Sequence, residues 1–202
     1  MIDTIVFDLG GVLINWNPRN LYRKIFTDEV EMEYFLANIC TSDWNEQQDA
    51  GRTLQEATDI LVAQFPDYTP QIKAFYGRWT EMLDGHIQGT VDILTKLYQD
   101  KRYKLYALTN WSAETFPIAQ GLFPFLQYFE GTVVSGEEMM KKPDPRIYQI
   151  LHTRYNITLE RAIFTDDSLR NIQAAAKEGL QTIHFQNSEQ LAADLRKMGI
   201  VF

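Results

Sequence analysis

The chain opens on a short unbroken apolar run, Ile5-Val6-Phe7, which stops at Asp8 and turns through Leu9-Gly10-Gly11-Val12-Leu13. A run of that length, bounded by a carboxylate and two glycines, predicts a buried parallel strand that delivers Asp8 to its carboxyl end. Similar runs recur at Tyr103 to Thr109, Gly131 to Ser135, Arg161 to Thr165 and Gln181 to Phe185. Between them apolar residues return at helical spacing: Val91, Leu94, Leu97 and Tyr98, then Ala113 to Gly121, Arg146 to Tyr155, Leu169 to Gly179 and Ser188 to Met198. Strands that alternate with helices call for a doubly wound parallel sheet joined by right-handed crossovers. In such α/β sheets ligands sit outside the carboxyl ends of the strands. Asp8 is therefore expected on a binding edge.

The alternation is interrupted after Ile14-Asn15-Trp16-Asn17-Pro18, where Asn17 and Pro18 suit the start of a helix. From there to about Asp84 every apolar pattern is helical. Leu21, Tyr22, Ile25 and Phe26 form one set, Met32, Phe35, Leu36 and Ile39 a second, Leu54, Ala57, Ile60, Leu61 and Phe65 a third, and Ile72 to Met82 a fourth. Turns are expected at Gly51, Phe65-Pro66-Asp67 and Asp84-Gly85. Four helices without a strand, inside a chain that otherwise alternates, predict an inserted helical unit.

A chain of 202 residues suffices for one sizeable core plus such a unit. Its formal charge of -8 argues against nucleic acid as a partner, because phosphate backbones need clustered Lys and Arg. An anionic small substrate would need a local positive site instead. The single Cys40 cannot form an internal disulfide and fits a reducing cytosol. Within the apolar run from Tyr34 it is expected to be a buried, inert thiol. Asp3 and Asp8 interrupt any apolar leader, and no apolar run approaches membrane-spanning length, so the protein is expected in the cytoplasm with no membrane partner.

Four polar clusters follow predicted strands or precede helices. Asp8 alone is as well explained by a turn as by catalysis. Thr109-Asn110 can donate hydrogen bonds to phosphoryl oxygens or can be ordinary turn residues. Lys141-Lys142-Pro143-Asp144-Pro145 can be a solvated loop leading into the helix that carries Tyr148. Asp166-Asp167-Ser168 is expected to cap the helix at Leu169, but capping does not account for two adjacent acids after a buried strand. Clustered carboxylates without a nearby histidine favour a hard cation that keeps several waters, which points to Mg²⁺. His86, His152 and His184 have no metal-ligand spacing. Asp43, Trp44, Asn45, Gln48 and Arg52 flank the Gly51 turn and either reach over the site or form a solvated face.

Taken together and in this order, the four clusters resemble the haloacid dehalogenase (HAD) superfamily of phosphatases and dehalogenases, and the resemblance spans the whole chain. It implies a Rossmann-like core from residues 1–16 and 87–202 with a helical cap over 17–86. It implies that Asp8 attacks phosphorus to form an aspartyl-phosphate, and that Lys142, the lysine adjacent to Pro143, neutralises the nucleophile and a transferring oxygen. Asp8, the backbone carbonyl of Gly10 and Asp167 become the expected Mg²⁺ ligands, with Asp166 either supporting them from behind or in a water-mediated contact. Thr109 becomes the phosphate-binding residue, Asn110 its neighbour, and Trp111 a residue that lines the pocket or packs under the cap.

One departure stands out. Most HAD phosphatases carry a second aspartate two positions after the nucleophile, as acid for the leaving group and base for water; here that position is Gly10. The opening is similar to the branch of glucose-1-phosphate phosphatases and the phosphatase-like N-terminal part of epoxide hydrolases. There, a good leaving group, a cap residue or water would take over. The expected function is a Mg²⁺-dependent phosphatase acting on a small phosphorylated metabolite, foremost a sugar phosphate. The alternatives are a metal-independent 2-haloacid dehalogenase, against which Asp166-Asp167 argues, and a phosphate-binding HAD-like protein without turnover.

Overall fold

A computed structural model describes residues 1–202. In chain order its elements are β1 (Thr4–Phe7), β2 (Ile14–Trp16), α1 (Arg19–Tyr22), α2 (Glu29–Asn38), α3 (Ser42–Asn45), α4 (Leu54–Gln64), α5 (Thr69–Gly77) and β3 (Leu83–His86). There follow α6 (Gln88–Asp100), β4 (Lys104–Thr109), α7 (Phe116–Leu122), β5 (Gly131–Val134), α8 (Ser135–Glu138), α9 (Pro145–Tyr155), β6 (Ala162–Asp166), α10 (Leu169–Lys177), β7 (Gln181–His184) and α11 (Ser188–Lys197). No helix is long and apolar enough to cross a membrane.

Five parallel strands form one sheet in the order β5-β4-β1-β6-β7. The four residues of β1 are all buried, as expected of a central strand covered on both faces. Its side chains alternate: Ile5 and Phe7 join Leu94 and Leu97 of α6 and Leu191 and Leu195 of α11 on one face, while Val6 joins Ile147 and Leu151 of α9 and Ile172 of α10 on the other. Strand order reverses beside β1, which is where open α/β sheets hold ligands. Asp8, Thr109 and Asp166 thus emerge at the same edge by register, with Phe7 paired to Ala107 and Thr165.

The turn after β1 is tightly bonded. The amides of Val12, Leu13 and Ile14 all converge on the Leu9 carbonyl, at 3.3, 2.8 and 2.9 Å, and Gly11 N donates to Ile14 O at 3.0 Å. Leu9, Val12 and Leu13 are fully buried beneath it. Beyond this turn β2 pairs with β3 in an antiparallel ribbon that flanks the helical insertion. Asp84-Gly85, expected as a turn, lies within β3; Gly85 keeps a turn-like φ of 73° there, and the pairing slips between Ile14 and Trp16. The insertion encloses its own aromatic centre, where Phe35 packs on Tyr22 at 4.9 Å and Phe26 at 5.3 Å, and Trp44 stands edge-on to Phe75 at 5.0 Å. Cys40 is buried there, as expected, and burial pushes its thiol up to about 12.

Three helices are shorter than their apolar patterns, the first of them α1, which ends at Tyr22 before Ile25 and Phe26. The fourth inserted helix ends at Gly77, and a 3₁₀ turn, Trp79–Met82, completes the span. Helix α7 starts at Phe116 rather than Ala113, because Trp111 N donates to Ser135 Oγ at 2.9 Å and Glu114 N to Ser112 Oγ at 3.2 Å, which fixes residues 111–114 as a turn.

Candidate active site

Lys142 is the pivot of the sheet edge. Its side chain is completely buried, and its three ammonium protons meet three acceptors: Leu108 O at 2.9 Å, Asp166 Oδ2 at 2.7 Å and Asp8 Oδ1 at 2.9 Å. Leu9 N also donates to Asp8 Oδ1, at 2.7 Å. The Lys142 backbone is clamped by Asn110, whose Oδ1 accepts from Lys142 N at 2.8 Å while its Nδ2 donates to Lys142 O at 3.0 Å. Asn110 therefore has one side-chain N–H left over. Lys141 points elsewhere, to Glu46 of the insertion, which Arg170 also grips at 3.0 Å. A single step in sequence separates a lysine within the edge from one on its rim.

Asp166 is fully buried and accepts from Lys142, from Ser168 N at 2.8 Å and from Asn171 Nδ2 at 3.1 Å. The helix cap expected of Asp166-Asp167-Ser168 is not formed: no side chain caps α10, and Asp166 instead bonds the Ser168 amide just before the helix and the Asn171 side chain within it. Carboxylate oxygens of Asp8, Asp166 and Asp167 lie within 4.8 Å of one another. Three carboxylates against one ammonium leave two negative charges uncompensated. Burial pushes Asp8 up to about 8; the Lys142 charge opposes the rise, and Asp166 and Asp167 add to it. Burial and then Asp166 raise Asp167 as well. For Lys142, burial works against the charge, but Asp166 and Asp8 outweigh it and hold the ammonium above its ordinary value. An all-oxygen donor set with a deficit of two positive charges fits a hard divalent cation. Thr109 and Thr165, at the ends of the flanking strands, each bury a hydroxyl that has no hydrogen-bond partner. An idle buried hydroxyl costs about 1–3 kcal/mol, so Thr109 is a donor available to a ligand.

The two glycines after Asp8 differ. Gly11 takes a φ of 74°, and a Cβ there would overlap Asp167 Oδ2, whereas a Cβ on Gly10 would meet nothing within 4 Å. Gly11→Ala is expected to lower stability by about 1–2 kcal/mol from backbone strain alone and to displace Asp167. Gly10→Ala should be close to neutral, and denaturant midpoints of the two variants check the contrast.

Above this edge a cavity of about 180 Å³ opens between sheet and insertion. Four aromatic residues line it, Trp16, Tyr76, Trp79 and Trp111, together with Gly10, Asn45, Asp49, Asn110 and Ser112, and no lysine or arginine contributes to the lining. Trp111 both lines the cavity and packs against Trp79 at 5.8 Å. Of the residues singled out beside Gly51, only Asn45 reaches the cavity. Asp43 is exposed, Trp44 donates to Ala57 O at 3.2 Å, and Gln48 and Arg52 bond to each other and to the Trp44 carbonyl. His86 bonds Gln88 and His152 the Ile157 carbonyl, both away from the carboxylate cluster, whereas His184 borders it through a bond to the Asp167 backbone carbonyl at 3.0 Å. Sequence reasoning missed Asp49, Trp16, Tyr76 and Trp79. Its one available signal for Asp49 was an acid two residues before a glycine turn, which is too common to single it out.

Over residues 5–185 the chain matches the haloacid dehalogenase-like hydrolases. A sesquiterpene phosphatase from Aspergillus oryzae is 28% identical, with 96% of this chain and 94% of that protein covered. A drimenol cyclase from Aspergillus calidoustus is 22% identical, and the match spans 96% of this chain but 36% of the cyclase. Among solved structures, a HAD family enzyme from Bacteroides thetaiotaomicron in complex with magnesium and inorganic phosphate is similar at a TM-score of 0.71 and 27% identity, with 93% of this chain and 96% of that one covered. Motifs from four distant segments meet at one sheet edge, and the family match spans nearly the whole fold that brings them there: the chain belongs to the haloacid dehalogenase-like hydrolases.

Proposed function

We propose that the protein is a magnesium-dependent phosphatase that hydrolyses a small phosphate ester through an aspartyl-phosphate on Asp8, with residues 17–86 serving as a cap over a core of 1–16 and 87–202. The observation that carries this reading is the buried Lys142 ammonium, shared by Asp8 and Asp166 at the sheet edge whose Gly10 and Asn110 line the cavity. Asp8 Oδ1 is held by Leu9 N and Lys142, which leaves Oδ2 without a protein donor and open to attack phosphorus. Lys142 offsets the approach of two anions, the Thr109 hydroxyl donates to a phosphoryl oxygen, and Asn110 fixes the Lys142 loop with one N–H left to donate. Asp8, the Gly10 carbonyl and Asp167 would hold the cation, with Asp166 behind them, and Mg²⁺ bound there would supply the missing positive charge.

Aromatic walls with Asn45, Asp49 and Ser112 between them suit an uncharged leaving group whose ring or chain lies against the indoles while its hydroxyls meet the polar groups. A sugar phosphate meets both demands. The sesquiterpene phosphatase among the relatives supports a second occupant, an isoprenoid alcohol, on the same aromatic walls. A panel of sugar and isoprenyl phosphates, assayed with Mg²⁺ and with EDTA, tests the proposal: release of phosphate should stop with EDTA and return with Mg²⁺. Halide release from 2-haloacids in EDTA would overturn it in favour of a dehalogenase, and phosphate binding without turnover would leave only a binder. Mg²⁺ at a hundredfold excess over its Kd is expected to stabilise the fold by about 2.7 kcal/mol, and Asp167→Asn should lose most of that gain in a thermal scan.

A further inference from the structure

The loop after Asp8 contains no group that can protonate a leaving alcohol. Gly10 stands at the position that would carry one, and the other side chains of the loop, Leu9, Val12 and Leu13, are buried hydrocarbon. The cavity wall that Gly10 shares with Asn110 and Ser112 is faced from the insertion by one carboxylic acid, Asp49. Its neighbour Glu46 is drawn away into ion pairs with Lys141 and Arg170, whereas Asp49 forms no ion pair.

We propose that Asp49 is the general acid and base of this enzyme, standing in from the insertion for the aspartate that Gly10 replaces. The inference rests on the phosphatase reading above. As Asp8 Oδ2 bonds to phosphorus, the bond from phosphorus to the leaving oxygen breaks, and the Asp49 carboxyl passes its proton to that oxygen. The resulting Asp49 carboxylate then takes a proton from the water that attacks phosphorus. The bond to Asp8 breaks, phosphate leaves, and both carboxyl groups return to their starting states.

The surroundings of Asp49 suit the task. Burial pushes its carboxyl up to about 7; Glu46 adds to the rise, and the charges of Lys141 and Lys142 and the Ser112 backbone N–H oppose it. Tyr76 of α5 faces it with a hydroxyl that donates to Asn45 Oδ1 at 2.9 Å, and Arg52 lies beside Tyr76. A group that titrates near neutrality can both give and take a proton.

The test uses two esters that differ in their need for protonation, phenyl phosphate and 4-nitrophenyl phosphate, with Mg²⁺ present. Asp49→Asn is expected to lower kcat for phenyl phosphate by about 10²- to 10⁴-fold, and for the nitrophenyl ester, whose leaving group departs as a stable anion, by less than about tenfold. In the wild type, kcat for phenyl phosphate should fall as pH rises past about 7, where Asp49 gives up its proton, and this descent should be absent from Asp49→Asn. Because a side chain at Gly10 would enter open space, Gly10→Asp combined with Asp49→Asn should recover at least tenfold of the loss on phenyl phosphate. Equal losses on both esters, or a raised KM with kcat unchanged, would assign Asp49 to binding and overturn the proposal. No loss on either ester would do the same. Those results leave the Asp8 mechanism intact; an Asp8→Asn variant as active as the wild type would defeat the phosphatase reading itself.

Discussion

Replacing Asp8 with asparagine is expected to reduce phosphate release by on the order of 10⁶-fold, the scale seen when a covalent nucleophile is removed. An amide is too weak a nucleophile to form the acyl phosphate, while its size and hydrogen bonds preserve the edge. Single-turnover release from a fast aryl ester, with and without Mg²⁺, measures the effect. The same variant should be more stable than the wild type when both are free of metal. Asp8 in the folded protein is raised from 3.8 to about 8, so its ionisation opposes folding increasingly as pH climbs through that window. Asparagine removes the penalty, and its advantage should be absent near pH 4 and fully developed above pH 8. Adding Mg²⁺ should narrow or reverse the difference, because the wild type alone then gains the full ligand set.

Lys142→Met should do the opposite to stability. It keeps the volume of the buried stem and deletes the ammonium, leaving Asp8 and Asp166 in a dry site with no counter-charge. Breaking a buried pair in this way costs about 3–5 kcal/mol, which a urea midpoint would register. The loss should shrink on acidification, as Asp8, whose carboxyl burial pushes up to about 8, takes up its proton and no longer needs a counter-charge. Turnover should fall by at least about 10²- to 10³-fold even where Mg²⁺ restores folding, since the divalent ion cannot occupy the position of Nζ between Leu108 O and the two acids. A metal-free variant as stable as the wild type, or one with undiminished turnover, would remove Lys142 from the account of both.

These outcomes depend on residues that were readable to different degrees. Asp8, Thr109 and Asp166 end short apolar runs that fold as strands, and a parallel register brings strand ends together without further information. Lys142 was separable from Lys141 only through its neighbour Pro143 and the family likeness; the structure gives the physical difference, one ammonium with three buried acceptors and another on a rim ion pair. The side chain of Asn110 was read as a phosphoryl donor, yet most of its bonding capacity holds the Lys142 backbone 32 residues away. That bond, like the placing of Asp49 and Gly10 in the lining of one cavity, depends on how loops fold over the sheet, and no local periodicity encodes it. The strand at Leu83–His86 was hidden for the same reason, because Asp84-Gly85 carries a turn signature that only pairing with β2 overrides.

The tight turn between Asp8 and β2 bears on how such an enzyme could open. Three amides anchored on the Leu9 carbonyl, with Leu9, Val12 and Leu13 sunk beneath them, form a stiff plug between Asp8 and the β2-β3 ribbon. A lid swinging on that ribbon would bend the chain downstream of the plug, and the twist would die out before reaching Asp8. Product could then escape and fresh substrate enter past a raised roof, while the attacking oxygen, its ammonium and the cation's cradle stay assembled for the next round.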